Sequence, residues 1–277
     1  MTADGTTARE EAGDWRPVLE QAGLGDLERV FAYAGGDDLA KPGLGHRRRT
    51  KLELVDSAGQ RRALYLKRYG DEPWSWRLRR WWTYGPRMSP AKVEATNIHA
   101  AAEAGIATMR AVAFGQAPGA FQAGRSYIIV TSVPGDALSR TLNDFLYRHA
   151  NDGAAGELAL RLGSLAGRMH GAGLAHRDFY TAHVFLDERG ATFELYLIDL
   201  ARMFRPSRWR RRRYQVKDIA QLKFSLPGEF VVAHWRAFMA EYARQAGLRE
   251  DMLDGFERAV DRKVAWMLAR SGRNRTK

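Results

Sequence analysis

Two carboxylates, Asp178 and Asp199, stand 21 residues apart in a stretch reading LAHRDFYTAHVFLDERGATFELYLIDL over residues 174–200. His176 and Arg177 run directly into the first acid, His183 follows it by five residues, and an apolar run ends on the second. Phosphoryl transfer from ATP needs two acids in this relation: one accepts the proton of the attacking hydroxyl, the other holds Mg²⁺ on the phosphates. A loop carboxylate is a general base where it reaches a substrate hydroxyl. A strand-end carboxylate suits Mg²⁺, which takes carboxylate and phosphate oxygens together. Taken alone, each acid reads first as a turn residue capping local backbone. His183, a candidate metal or phosphate contact, reads alone as a hydrogen-bonded structural histidine.

Two further candidates would grip phosphates. Lys67 lies inside ALYLKRY, an alternating strand pattern, and a lysine on the inner face of a strand needs a counter-charge. Glu94, early on the next helical segment, is the candidate partner, and such a pair positions a lysine on the α- and β-phosphates. Lys67 alternates in phase with Tyr65 and Tyr69, against Leu64, Leu66 and Arg68, so the pattern leaves open which side is buried. The glycine-punctuated segment 35–45, with Gly43 and Gly45, would lay backbone N–H groups over phosphates. It departs from G-x-G-x-x-G, because Arg48 stands at the last glycine, and it is no P-loop. A plain flexible hairpin fits it as well.

The elements that must position these residues fall into two halves. Residues 1–26 read as a flexible tail. Residues 27–133 are mostly extended, with strands expected over 27–33, 49–55, 63–69, 111–115 and 126–133, and one helix over 90–104, opened by Pro90 and closed by Gly105. After Pro134-Gly135 the character turns helical: 138–148, 157–170, 218–226, 228–246 and 250–270, with the 174–183 loop and two short strands (184–187, 193–198) between. The expected fold class is α+β: a β-rich N-terminal lobe over 27–133 and a helical lobe over 134–277. A cleft between two such lobes is a usual place for a ligand.

Composition narrows the class. With 45% hydrophobic and 27% charged residues the chain is an ordinary globular one. The absence of cysteine removes disulfides, thiolate metal sites and a cysteine nucleophile. No run of about 18 apolar residues and no signal-peptide pattern occurs, so a cytoplasmic location is expected. The net charge of +12 is concentrated at 46–51, at 74–92 and at 205–217, the last two without a single acid. Such fields attract polyanions: nucleic acid, anionic membrane or phosphorylated glycolipid. Nucleic acid is disfavoured, since no recognised motif is present and the arginine run lacks a stacking platform apart from Trp209.

Singly these signals are weak; their order is informative. A glycine loop, strand lysine, helix glutamate, extended linker, H-R-D loop and strand-end aspartate follow one another as in protein kinases. With HRDFYTAHVFLD and LYLIDLARM as its sharpest segments, the chain resembles the lipopolysaccharide kinase family, which phosphorylates Kdo or heptose of the inner core. YLKRY, KVEATNIHAAAEAGI and VKDIAQLKFSL carry the resemblance further, over residues 27–226. It implies a two-lobed protein-kinase-like fold and a set of roles. Asp178 would be the catalytic base, with His176 and Arg177 in its motif. Asp199 would be the main Mg²⁺ ligand, and His183, where protein kinases carry Asn, a second-metal or phosphate contact. Lys67, held by Glu94, would bind the ATP phosphates, and Thr131 to Val133 would read adenine through backbone groups. No Ala-Pro-Glu segment follows Asp199, so no activation loop is expected.

On this reading the partners are ATP and an anionic lipid-linked saccharide. The basic segment 205–213 would lie on the acceptor side. Trp74, Trp76, Trp81 and Trp82, interleaved with arginines, would make peripheral contact with an anionic membrane surface. A solvated arginine face and local tryptophan packing are the plain alternatives. The competing functions are another small-molecule or protein kinase of the same fold and a non-catalytic kinase-like binding module.

Overall fold

The computed structural model describes residues 15–39, 47–70, 72–85, 88–117, 125–189 and 192–275. It divides into two compact units, one of residues 1–100 and 109–133, the other of residues 101–108 and 134–277.

The first unit opens with α1 (Arg16–Gln21) and α2 (Leu27–Ala32), followed by β1 (Asp37–Asp38), β2 (Arg47–Val55) and β3 (Arg61–Tyr69). Helices α3 (Trp74–Tyr84) and α4 (Pro90–Glu103) come next, then β4 (Ala111–Gln116) and β5 (Ser126–Thr131). The strands form an antiparallel sheet in the order β1-β2-β3-β5-β4. Alternation sends Leu52, Leu64 and Leu66 to one face, where they join Val112, Tyr127 and Ile129 and, from the α1–α2 segment, Trp15, Leu19, Leu24 and Val30. Each fully buried leucine contributes about 1.5–3 kcal/mol relative to exposure. Arg68 points into the same face, where its two terminal nitrogens donate to Thr50 Oγ1 (2.9 Å) and the Tyr33 carbonyl (2.8 Å).

Three sequence expectations give way to the structure. The strand expected over 27–33 is helix α2: Asp26 accepts from the Arg29 N–H (2.9 Å), and Leu27, Val30 and Phe31 take helical spacing against the sheet. The flexible tail expected over 1–26 is ordered from residue 15 on, because Trp15, Leu19 and Leu24 belong to the core. Helix α3 is a second helix where only 90–104 was expected, and the residue that anchors it is not apolar. Arg80 is buried, paired with Glu72 at 2.7 Å and bonded to the Met88 carbonyl.

In the second unit β6 (Asp136–Ala137), β7 (Val184–Arg189) and β8 (Thr192–Leu197) form a small antiparallel sheet in that order. Around it lie α5 (Leu138–Arg148), α6 (Ala154–Gly171), α7 (Arg208–Ser225), α8 (Gly228–Ala246) and α9 (Leu253–Arg275). Residues 105–108 join this unit through Thr108, which pairs with Leu197, and through Gly105, whose carbonyl accepts from Arg168. Helix α6 meets α8 along glycines. A Cβ on Gly163 would stand 2.5 Å from the Phe238 carbonyl oxygen, and one on Gly167 would stand 2.8 Å from that of Tyr242. This close approach holds α6 steady, and the C-terminal end of α6 launches the 174–183 loop.

Candidate active site

The 174–183 loop is held by its backbone. Ala175 and Phe204 exchange two main-chain hydrogen bonds (2.9 and 3.1 Å). Arg177 adopts a left-handed φ of 76°, uncommon for a non-glycine residue, and its N–H and that of His176 are two successive amides of the loop. Asp218, fully buried on α7, receives both: the His176 N–H at 2.7 Å and the Arg177 N–H at 2.9 Å. A buried carboxylate without such donors would be strongly unfavourable. One face of α7 continues the support. Gln221 accepts from the Phe179 N–H (3.2 Å), Ser225 Oγ accepts from the Thr181 N–H (3.0 Å), and Lys217 donates to the Arg177 carbonyl.

That scaffold displays Asp178, whose Oδ2 accepts from Arg202 Nη1 at 2.7 Å. His183 closes the loop on itself, its Nδ1–H donating to the Asp178 carbonyl at 2.6 Å. On its other side, His183 Nε2 lies 3.7 Å from Asp199 Oδ2. Asp199 itself has a left-handed φ of 61°, an uncommon conformation for a non-glycine residue and one found at sites where geometry is imposed. His176 is wholly buried and donates from Nε2 to the Ile198 carbonyl (3.0 Å). Its Nδ1 has no partner, and burial holds the ring below the usual histidine range, hence neutral. The structure thus brings His176, Asp178, His183 and Asp199 together, with Arg177 packed over the Phe204 ring.

In the first unit Lys67 and Glu94 form an ion pair, and the Tyr69 hydroxyl donates to the other Glu94 oxygen at 2.7 Å. Glu94 is fully buried and the Lys67 side chain is 11% exposed. The strand-phase question is thereby answered: Leu64, Leu66 and Arg68 face the core, while Lys67 and Tyr69 face α4. At the end of β5, Thr131 is paired through both its N–H and its Oγ1 with Arg110, and the Ser132 N–H is engaged with the Ala63 carbonyl. Val133 lies just beyond. Gly43 and Gly45 fall outside the described residues. Gly36, at φ 81°, fits tightly against the Lys51 carbonyl at the start of β1.

Among the described residues no three acidic or histidine side chains cluster as a ready-made metal cage. Mg²⁺ does not require one, since it keeps waters and takes one or two carboxylates with substrate phosphates. The partly exposed Asp199 carboxylate, with the His183 ring nitrogen 3.7 Å away, is the type of donor a hard cation takes. Sequence reading missed two contributors. Arg202, three residues past Asp199, carried no signal by itself. Asp218 stood out only as part of a family-like segment, although its spacing to Gln221 and Ser225 marks one helix face.

The family model described as "Lipopolysaccharide kinase (Kdo/WaaP) family" matches residues 45–242. The lipopolysaccharide core heptose(I) kinase WaaP of Pseudomonas aeruginosa is 35% identical over 133 residues, 44% of this chain and 47% of that protein. The chain therefore aligns with about half the length of that curated relative. A solved structure of WaaP in complex with acyl carrier protein superimposes with a TM-score of 0.65 at 24% identity, covering 93% of this chain and 98% of that one. The likeness establishes the fold.

Proposed function

The chain belongs to the lipopolysaccharide kinase (Kdo/WaaP) family, and from that premise we propose that it transfers the γ-phosphoryl group of ATP to a sugar hydroxyl of the lipopolysaccharide inner core. A heptose is the acceptor supported by the Pseudomonas relative's name, with Kdo as the other family sugar. The observation that carries the reading is Asp178, held out on a loop whose amides are bound by buried Asp218, beside the His183–Asp199 pair.

In the proposed reaction the acceptor oxygen attacks the γ-phosphorus as its O–H proton passes to the Asp178 carboxylate. The bond from phosphorus to the bridging oxygen breaks and ADP leaves. Arg202 keeps the Asp178 carboxylate aimed. His176 is a positioning residue, too deeply buried to meet substrate, that ties the loop to the Asp199 segment. Lys67, fixed by Glu94, binds the α- and β-phosphates. With the Thr131 and Ser132 amides engaged, adenine recognition at the end of β5 falls to Val133 and the backbone carbonyls. Asp199, with His183 beside it, would hold Mg²⁺, which supplies charge neutralisation on the phosphates.

The lipid-linked acceptor implies work at a cytoplasmic membrane surface. No helix among the described residues is long and apolar enough to cross a membrane. Helix α3 supports peripheral contact: Trp74, Leu78, Trp81 and Trp82 follow one helical stripe, and Trp74 and Trp82 are 71% and 82% exposed. An acyl carrier protein is a further candidate partner, because the solved relative is bound to one.

The test is incubation of the protein with ATP, Mg²⁺ and dephosphorylated core glycolipid, followed by mass spectrometry. One added phosphate per glycolipid is expected, formed far more slowly with Asp178→Asn. Failure of the wild type to phosphorylate any inner-core acceptor would sink the reading.

A further inference from the structure

Helices α7 and α9 enclose a groove of about 730 Å³, within the range of ligand sites, about 300–1,000 Å³. Arg212, Arg213 and Lys217 enter it from α7; Arg262, Lys263 and Trp266 enter it from α9. Among the described residues no carboxylate lines it. Asp261, the acid next to Arg262, is turned away and paired with Lys223 at 2.6 Å. The arginine run is therefore divided rather than uniformly solvated: Arg205 bonds the Ala172 carbonyl and Arg210 packs on Trp209 and Tyr214, while Arg212 and Arg213 face the groove.

The groove extends toward the Asp178 loop. An adjoining hollow of about 380 Å³ shares Lys217, Lys263 and Trp266 and reaches Tyr180, two residues past Asp178. Lys217 also holds the Arg177 carbonyl, so a ligand on this lysine would touch the support of the loop. The cations crowd one another. Burial first, and then Arg213 and Arg270, hold the Lys263 ammonium below its ordinary range, and burial does the same to Lys217. An anion in the groove relieves both effects. The indole of Trp266 is 48% exposed beside these charges and offers an apolar surface next to anion-binding groups.

We propose that the α7–α9 groove binds the phosphate- or carboxylate-bearing saccharide of the acceptor, with the five cations holding its anionic groups and Trp266 packing against a sugar ring. This rests on the kinase reading for the identity of the acceptor, not for the existence of the site. It also accounts for an arginine run immediately after the Asp199 segment: the same helix that anchors the Asp178 loop through Asp218 carries the anion site.

The test is isothermal titration of the full chain with three probes: delipidated inner-core oligosaccharide, inorganic phosphate and the ATP analogue AMP-PNP. The double variant Arg262→Gln/Lys263→Gln and the variant Trp266→Ala are each expected to bind the oligosaccharide about tenfold more weakly or worse, as loss of charged contacts and of a stacking surface requires. AMP-PNP binding and the control Arg236→Gln, on exposed α8 surface, stay at wild-type values. In turnover the acceptor KM rises while kcat holds. Undiminished oligosaccharide binding by both groove variants overturns the proposal and leaves the kinase reading standing. Equal competition by inorganic phosphate overturns its saccharide part. A wild type that binds oligosaccharide but not AMP-PNP sinks the kinase reading instead.

Discussion

The carboxylate of Asp218 and the amide of Arg177, 41 residues apart in sequence, meet at 2.9 Å inside the second unit, with Arg177 at a left-handed φ. A helix side chain thus sets the conformation of the loop that presents Asp178. Asp218→Ala should leave the two amides of His176 and Arg177 buried without acceptors, a cost of about 2–5 kcal/mol. Thermal unfolding should show the loss. Asp218→Asn keeps the shape but accepts at one oxygen only; it should lower kcat with little change in ATP KM, as steady-state kinetics would reveal.

Removal of the proposed base is separable from removal of its scaffold. Asp178→Asn should reduce kcat by about 10²–10⁴-fold, the usual contribution of general-base catalysis, with an unchanged melting temperature. A melting temperature that drops along with activity would assign Asp178 a structural task instead.

Glu94 is buried with Lys67 and Tyr69 as its partners. Lys67→Met leaves a carboxylate in the interior with the tyrosine alone, and breaking such a pair costs about 3–5 kcal/mol. The double variant Lys67→Met/Glu94→Gln should recover much of that stability without recovering ATP turnover. Denaturant titration checks the first half and a coupled ADP assay the second.

Burial keeps His176 neutral in the folded protein, whereas the unfolded chain protonates this residue near pH 6.5. Below that value the unfolded state binds the extra proton, so stability falls as pH decreases and is fully present above it. The slope attributable to His176 approaches about 1.4 kcal/mol per pH unit between about pH 6 and 5. Denaturant midpoints measured at about pH 5, 6 and 7.5 should be flatter in His176→Gln than in the wild type.

Gly163 and Gly156 lie on the same helix and should respond oppositely to alanine. At Gly163 the new Cβ meets the Phe238 carbonyl at 2.5 Å, and overpacking of this kind costs about 1–3 kcal/mol. At Gly156 it meets nothing within 4 Å, and the gain in helix propensity is about 0.5–1 kcal/mol. Calorimetry of the two variants distinguishes packing from propensity.

Much of this was legible in the chain. The period-two strands β2, β3 and β5, the helices α6, α8 and α9 and the second half of α7 declare themselves through apolar spacing, which depends on neighbours a few residues away; the first half of α7, from Arg208, was hidden in the arginine run. The order of Lys67, Glu94, Asp178 and Asp199 was sufficient to suggest an ATP-dependent phosphotransferase, because each residue type is dictated by chemistry. Helices α2 and α3 were not read from the sequence: their apolar spacings (Leu27, Val30, Phe31 and Trp74, Leu78, Trp81) are short, and what fixes them is a capping aspartate in the first and a buried arginine in the second.

The sequence by itself determined which functional groups are present, their order, and the family to which the chain belongs. Tertiary structure alone decided which side of β3 receives Lys67, that Asp218 holds the H-R-D loop, that Arg202 meets Asp178, and that part of the arginine run turns into a groove. The reason is physical. Hydrophobic period is a local property that propensity and alternation write directly into the chain. The pairing of a buried charge is set by whichever donor the fold brings within about 3 Å, and for Asp178 and Asp218 those donors lie 24 and 41–42 residues away.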